Sequence, residues 1–190
     1  SWELVKIYDI KPEAMSALKE EMGGELPVRI TPTASAKEAV EGADIILMVT
    51  VARQLVVLEP WVEKGSFVAC LNGYFDLDPM LSKRADKWVM GIRQGDTELV
   101  IELPAIGDGA TLKELSRDDV YADMGEIVTG KKEGRENDQE RIVYTHFGMG
   151  AHDIILAQTV YNRAIEEGKG IKIPLISTSS KWLLFLRSTF

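Results

Sequence analysis

The chain has 190 residues, of which 45% are apolar and 27% charged, the balance of an ordinary globular protein rather than a disordered or fibrous one. A net charge of −8 and a pI of about 4.9 argue against a nucleic-acid partner or an anionic membrane surface, both of which need a basic face. The sequence has no apolar run near the ~18 residues of a spanning helix, and its single cysteine, Cys70, rules out an internal disulfide and suits a reducing, cytoplasmic setting.

"LVKIYDI" (4–10) reads as a short strand ending in an acid. Pro12 then opens a helix through "EAMSALKEEM", and Gly23-Gly24 stop it. "PVRIT" is a second strand. In "SAKEAVEG", Ser35 and Glu38 have the spacing of a capping box, so a short helix is expected there. "ADIILMVT" (43–50) and "GSFVACLNG" (65–73) are apolar throughout, which predicts strands buried on both faces. "KWVMGIR" is a further strand, so one parallel sheet of four or five strands is expected from 4 to 93.

The second half has short helical pieces broken by Pro and Gly. "KKEGRENDQER" (131–141) is almost wholly charged or amide and reads as a solvated loop. "IVYTHF" is a strand. The run from Ala151 to Glu167 is the best helix in the chain, with Ile154, Ala157, Tyr161 and Ile165 at three- and four-residue spacing, a face expected to be covered. "GIKIPLI" reads as a last strand, and "KWLLFLRSTF" carries an apolar cluster that favours an interface.

Four features bear on chemistry. Asp9 closes a strand just before a helix, a setting in which an acid can bind a ribose hydroxyl, although on the residues alone a helix-start acid facing the dipole is the better reading. Gly148-Met149-Gly150 lies between a strand and a helix, but position 153, where a phosphate-cradling turn needs a small residue, is Asp. A bend into a helix is therefore the better reading, with Asp153 as a first-turn acid. Cys70 sits in an apolar run and reads as plain core. With two histidines and one cysteine, the chain offers no metal-ligand cluster.

Read in order, "AVEGADIILMVT", "WVEKGSFVACLNG", "DLDPMLSKRADKWVM" and "MGEIVTGKKEGRENDQERIVYTHFGMGAHDIILAQTVYNRAIEEGKGIKI" resemble the ornithine cyclodeaminase/mu-crystallin family, from about Leu4 to Ile173. "LNGYFDLD" and "GMG" look most like the branch of that family named for a tyramine oxidase component. The resemblance implies an α/β fold: a Rossmann-like parallel sheet in 1–145, whose first strand and glycine loop are expected before Ser1, and part of a dimerisation domain in 146–190. The chain would then be the C-terminal part of a longer protein. The resemblance also implies NAD or NADP as cofactor, a small amino acid, amine or imine as substrate, and a homodimer. By position, Asp9 matches the ribose acid, which favours NAD. Thr50 and Val51 match the end of a strand facing the cofactor. Thr145, His146, Phe147 and Gly148 match the segment beside the nicotinamide, and Asp153 the acid of the following helix. The family's catalytic aspartate lies in a loop that is shorter here, so Asp76 is either a proton-transfer group or, on the better alignment, a capping or surface acid. Some members of the family are binding proteins without activity, and this remains the alternative.

Overall fold

The computed structural model describes residues 3–52, 54–71, 76–98, 100, 115–171 and 173. The chain divides into two units, Ser1–Gly148 and Met149–Phe190. The first unit alternates strands and helices: β1 (Leu4–Ile7), α1 (Pro12–Met22), β2 (Arg29–Pro32), α2 (Ala36–Val40), β3 (Ile45–Met48), β4 (Phe67–Cys70), α3 (Pro79–Lys83), β5 (Lys87–Met90), α4 (Arg93–Thr97), β6 (Ala122–Asp123), α5 (Met124–Val128) and β7 (Ile142–Thr145). The second unit contains α6 (Gly150–Glu166).

Local signals set the element ends. Pro12 takes the first position of α1, where its missing N–H costs nothing. Ser35 Oγ accepts from Glu38 N at 3.2 Å, as the capping-box spacing predicts. Glu38, however, reaches back to Ala34 N rather than to Ser35 N. Asp123 and Glu126 form the complete reciprocal box at the start of α5, and Arg93 adds a 2.9 Å contact to Glu126.

All strand pairs are parallel, but the strands form two sheets rather than the single one expected. β1 and β2 pair with each other, and a five-stranded sheet runs β3-β4-β7-β5-β6. β7 lies between β4 and β5 although it is last in sequence, with Val68 and Trp88 both in register with Val143. Periodicity marks a segment as a strand; it carries no information about which neighbour supplies the hydrogen bonds. A groove of about 640 Å³ lies between the two sheets, with Leu4, Val5 and Lys6 of β1 on one wall and Ala43, Asp44 and Ile45 on the other.

The core fills one side of β3 and the space between β4, β5 and β7, where Val68, Cys70, Leu77, Leu81, Trp88 and Val143 are essentially inaccessible. Trp88 Nε1 donates to Thr145 Oγ1 at 3.0 Å, which satisfies the indole inside an apolar layer. β4 and β5 are buried on both faces as their apolar runs predict, apart from a half-buried Phe67. β3 is not. Ile46 and Met48 are buried, while Ile45 and Leu47 are exposed, because β3 is an edge strand with one covered face among the described residues.

The charged run 131–141 is a loop, as expected, but not a freely solvated one. Lys87, at the start of β5 and only 5% exposed, points into it and meets Glu136 at 2.6 Å, Glu140 at 3.0 Å and the carbonyl of Gly134. Burial pulls the Lys87 pKa down, but hydrogen bonds and attraction from both glutamates outweigh this and leave it raised. Arg141 ties the same loop to Glu59, at 3.0 Å, and to the carbonyl of Val62.

α6 begins one residue before its predicted start. Gly148 precedes it with φ +97°, a conformation that a side chain would strain. The apolar spacing of α6 predicts a covered face, but Ile154, Tyr161 and Ile165 are exposed in this single chain.

Candidate functional site

The C-terminal ends of parallel strands are where an α/β sheet places ligands, because the following helices turn their N-termini toward that edge. Asp9 follows β1, and its Oδ1 accepts from Lys11 N at 2.8 Å, just ahead of Pro12 and α1. This bond closes a turn ahead of α1 rather than capping it: the N-cap is Lys11, without a side-chain cap bond, and the acid of the first turn is Glu13. The side chain remains exposed.

Thr50 and Val51 follow β3. Val51 is exposed, whereas the Thr50 hydroxyl donates to Asp76 Oδ2 in a short contact. Asp76 is only 3% exposed, and Cys70 Sγ lies 3.6 Å from its Oδ1. Its backbone carbonyl accepts from Val56 N at 2.7 Å and Val57 N at 3.2 Å. Asp76 is therefore neither a surface acid nor a helix cap. The cap of α3 is Asp78, which accepts from Met80 N and Glu59 N. Cys70 is buried as expected, yet its thiol serves a carboxylate rather than apolar packing alone.

His146, Phe147 and Gly148 follow β7. His146 N donates to Cys70 O at 3.0 Å, which locks this tip to β4. The imidazole Nδ1 lies 3.3 Å from Asp96 Oδ2, and the same oxygen accepts from Ile92 N at 2.9 Å. The ring fits because residue 91 is glycine: a Cβ there would sit 1.8 Å from Nδ1. Phe147 packs half-buried against the core. The Tyr144 ring lies 6.0 Å from that of His146, and burial, then the charge of Asp96, pushes the Tyr144 pKa up.

The structure thus brings Thr50, Asp76, Cys70, His146 and Asp96 into one chain of contacts, with Cys70 as the link. Asp96 and Gly91 did not stand out in the sequence. "GIRQGD" shows only an acid in the first turn of a short helix, and its partner lies 50 residues away. Asp153 sits exposed in the first turn of α6, in the second unit. Among the described residues, no group of three or more His, Cys, Asp or Glu could hold a metal ion. No described helix is long and apolar enough to cross a membrane.

The sequence profile of the ornithine cyclodeaminase/mu-crystallin family matches residues 1–168. The chain belongs to this family. It is 27% identical over 180 residues to the alanine dehydrogenase of Archaeoglobus fulgidus, covering 89% of this chain and 51% of that one. It is 32% identical over 147 residues to a Δ1-pyrroline-2-carboxylate reductase of Bacillus thuringiensis, covering 73% of this chain and 43% of that one. Among solved structures it is similar to the Δ1-pyrroline-2-carboxylate reductase of Thermococcus litoralis in complex with NADH and L-proline, with a TM-score of 0.75 and 29% identity, over 90% of this chain and 53% of that one. An archaeal alanine dehydrogenase dimer with bound NAD aligns with a TM-score of 0.72 at 26% identity, over 92% and 53% of the two chains. The chain spans about half the length of the relatives it matches.

The donor set fits part of a nicotinamide dinucleotide. An exposed carboxylate after β1 is of the type that binds ribose hydroxyls, and the ends of β3 and β7, in the other sheet, offer Thr50 and Gly148.

Proposed function

We propose that the protein is an NAD(P)-dependent oxidoreductase or deaminase acting on a small amino acid, amine or imine. The observation that carries this reading is family membership along 1–168, with relatives that are amino-acid dehydrogenases and imine reductases. In this reading 1–145 is a dinucleotide-binding domain and 146–190 belongs to a dimerisation domain. Asp9 holds the ribose hydroxyls and disfavours a 2′-phosphate by repulsion, so NAD is preferred. Thr50 and Val51 line the cofactor at the tip of β3, and His146, Phe147 and Gly148 line it at the tip of β7. Asp153 is the acid of the helix that follows. The bound nicotinamide supplies hydride exchange at the carbon bearing nitrogen. The chain's own residues orient the ring, exclude water and hold protons at the strand tips.

One observation favours a second reading, a binding protein that kept the fold. Asp76 is turned into the core and bonded to Thr50 and Cys70, so it is poorly placed to exchange a proton with a substrate. Calorimetric titration with NAD and NADP, followed by nicotinamide absorbance with a panel of amino acids and amines, separates the two. NAD binding with turnover supports the enzyme; binding without turnover of any substrate supports the second reading.

A homodimer in the cytoplasm completes the proposal, supported by the dimeric archaeal relative and by the exposed apolar face of α6. Light scattering that gives the mass of a single chain at micromolar concentration would count against the dimer. Placement in the tyramine oxidase branch rests on "LNGYFDLD" and "GMG" alone.

A further inference from the structure

The two sheets present different edges to the outside and to the groove between them. The outer edges are blunted: β2 carries Arg29 and ends in Pro32, and β6 is only two residues long and ends in an acid. The edges on the groove, "LVKI" of β1 and "IILM" of β3, are apolar but for Lys6. The Lys6 ammonium does not guard its edge, because it is turned to the carbonyls of Glu38 and Glu41 at the end of α2.

Both of these edges aim backbone groups away from their own sheet. The carbonyls of Glu3 and Ile7 accept from Arg29 N and Thr33 N, so the alternate residues Leu4 and Lys6 turn N–H and C=O away from β2. The carbonyls of Asp44 and Met48 accept from Phe67 N and Leu71 N, so Ile45 and Leu47 turn theirs away from β4. Among the described residues, none of these four has a strand partner on that side. The beginnings of both strands line the groove, so both enter it from the same end.

We propose that the groove is the seat of one β-strand, parallel to β1 and β3, which joins the two sheets into one, and that the polypeptide preceding Ser1 in a longer chain supplies it. A small ligand is held by a few polar groups converging on a point. Here two rows of backbone donors and acceptors flank the groove, an arrangement that another backbone satisfies in full. A strand beside β1 and parallel to it needs a crossover, usually a helix, to reach β1. One face of β3, with Ile45 and Leu47 exposed, is uncovered and available to such a helix. The chain spans about half the length of its relatives, so polypeptide enough for a strand and a helix exists in proteins of this family. Seating the strand would fix Asp9, after β1, relative to Thr50, after β3, which stand on separate sheets here.

The test compares amide hydrogen exchange in the 190-residue chain and in the protein as encoded, with whatever precedes Ser1. The amides of Leu4, Lys6, Ile45 and Leu47 should exchange fast in the first and slow by roughly 100-fold or more in the second, whereas Val5, Ile7, Ile46 and Met48, which point to β2 and β4, should be protected in both. Leu47→Pro gives a second readout, because proline is tolerated where the lost N–H faces open space and not within a paired strand. It should leave the melting temperature of the 190-residue chain nearly unchanged and lower that of the longer protein. Fast exchange at the four amides in the longer protein, an equal effect of Leu47→Pro in both, or too few residues before Ser1 to form a strand overturns the proposal. Protection already present in the 190-residue chain also overturns it, and protection that grows with concentration assigns the groove to a second copy instead. No nucleotide enters either readout, so the outcome is independent of the cofactor reading.

Discussion

Lys87 Nζ lies 3.0 Å from Glu140 Oε1, with both side chains almost out of contact with water. This ties the start of β5 to the loop that leads into β7, the two strands that pair at the centre of the five-stranded sheet. Lys87→Ala should destabilise the fold measurably, because it leaves the little-exposed Glu140 without its cation. Glu136→Ala should cost little, since that carboxylate is more than half exposed. Urea unfolding of the two variants checks the contrast.

The same loop gives stability an acid limb. Glu140 is held below the usual carboxylate range, first by the hydrogen bond from Glu136 N and then by Lys87. Its folded pKa is lower than its unfolded one, so its contribution is complete above the ordinary carboxylate range and fades as pH falls through the folded value. Lys87 has the opposite sign. With a raised folded pKa, its contribution is complete below its unfolded value near 10.5 and is lost only at more alkaline pH. Unfolding followed from neutral to acid pH should show a decline that is shallower in Glu140→Gln.

Gly91→Ala should act through His146. The added methyl would overlap the imidazole at Nδ1, so the ring must leave Asp96. A loss of roughly 1–3 kcal/mol is expected for a methyl forced into a filled site. Thermal unfolding gives the loss, and the imidazole NMR signal of His146 should show the broken contact. An unchanged signal would mean that the ring does not occupy this position in solution.

Thr50→Val tests the Asp76 cluster. It removes the hydroxyl that donates to a buried carboxylate while keeping the shape of the side chain. A cost of about 1–3 kcal/mol is expected, the penalty for a buried acceptor deprived of a donor. A shift of the urea midpoint without a change in slope would confirm it.

Asp123→Ala removes the cap of α5 and half of its reciprocal box, and should cost about 1 kcal/mol. Arg93 would keep its contact with Glu126, so most of the loss should come from the helix start. Urea unfolding beside the Lys87→Ala variant provides the comparison.

The sequence by itself determined the local elements and the family. Pro12, the Ser35/Glu38 spacing and the apolar runs at β3, β4 and β5 each specify their structure within a few residues, and local physics is legible in a linear string. The order of motifs likewise carried the resemblance over most of the chain. Only the tertiary structure decided which strands pair, that β7 enters between β4 and β5, and that β3 is an edge with one exposed face. It also decided that Asp76 is a buried partner of Thr50 and Cys70 rather than a cap, and that Asp96 meets His146. Each of these depends on contacts between residues 6 to more than 50 positions apart, and no periodicity or spacing rule encodes which distant side chain will fill a given hole. Gly91 shows the limit most plainly. Its lack of a side chain has no reason in its own strand, and acquires one only when an imidazole from another strand arrives 1.8 Å from where a Cβ would be.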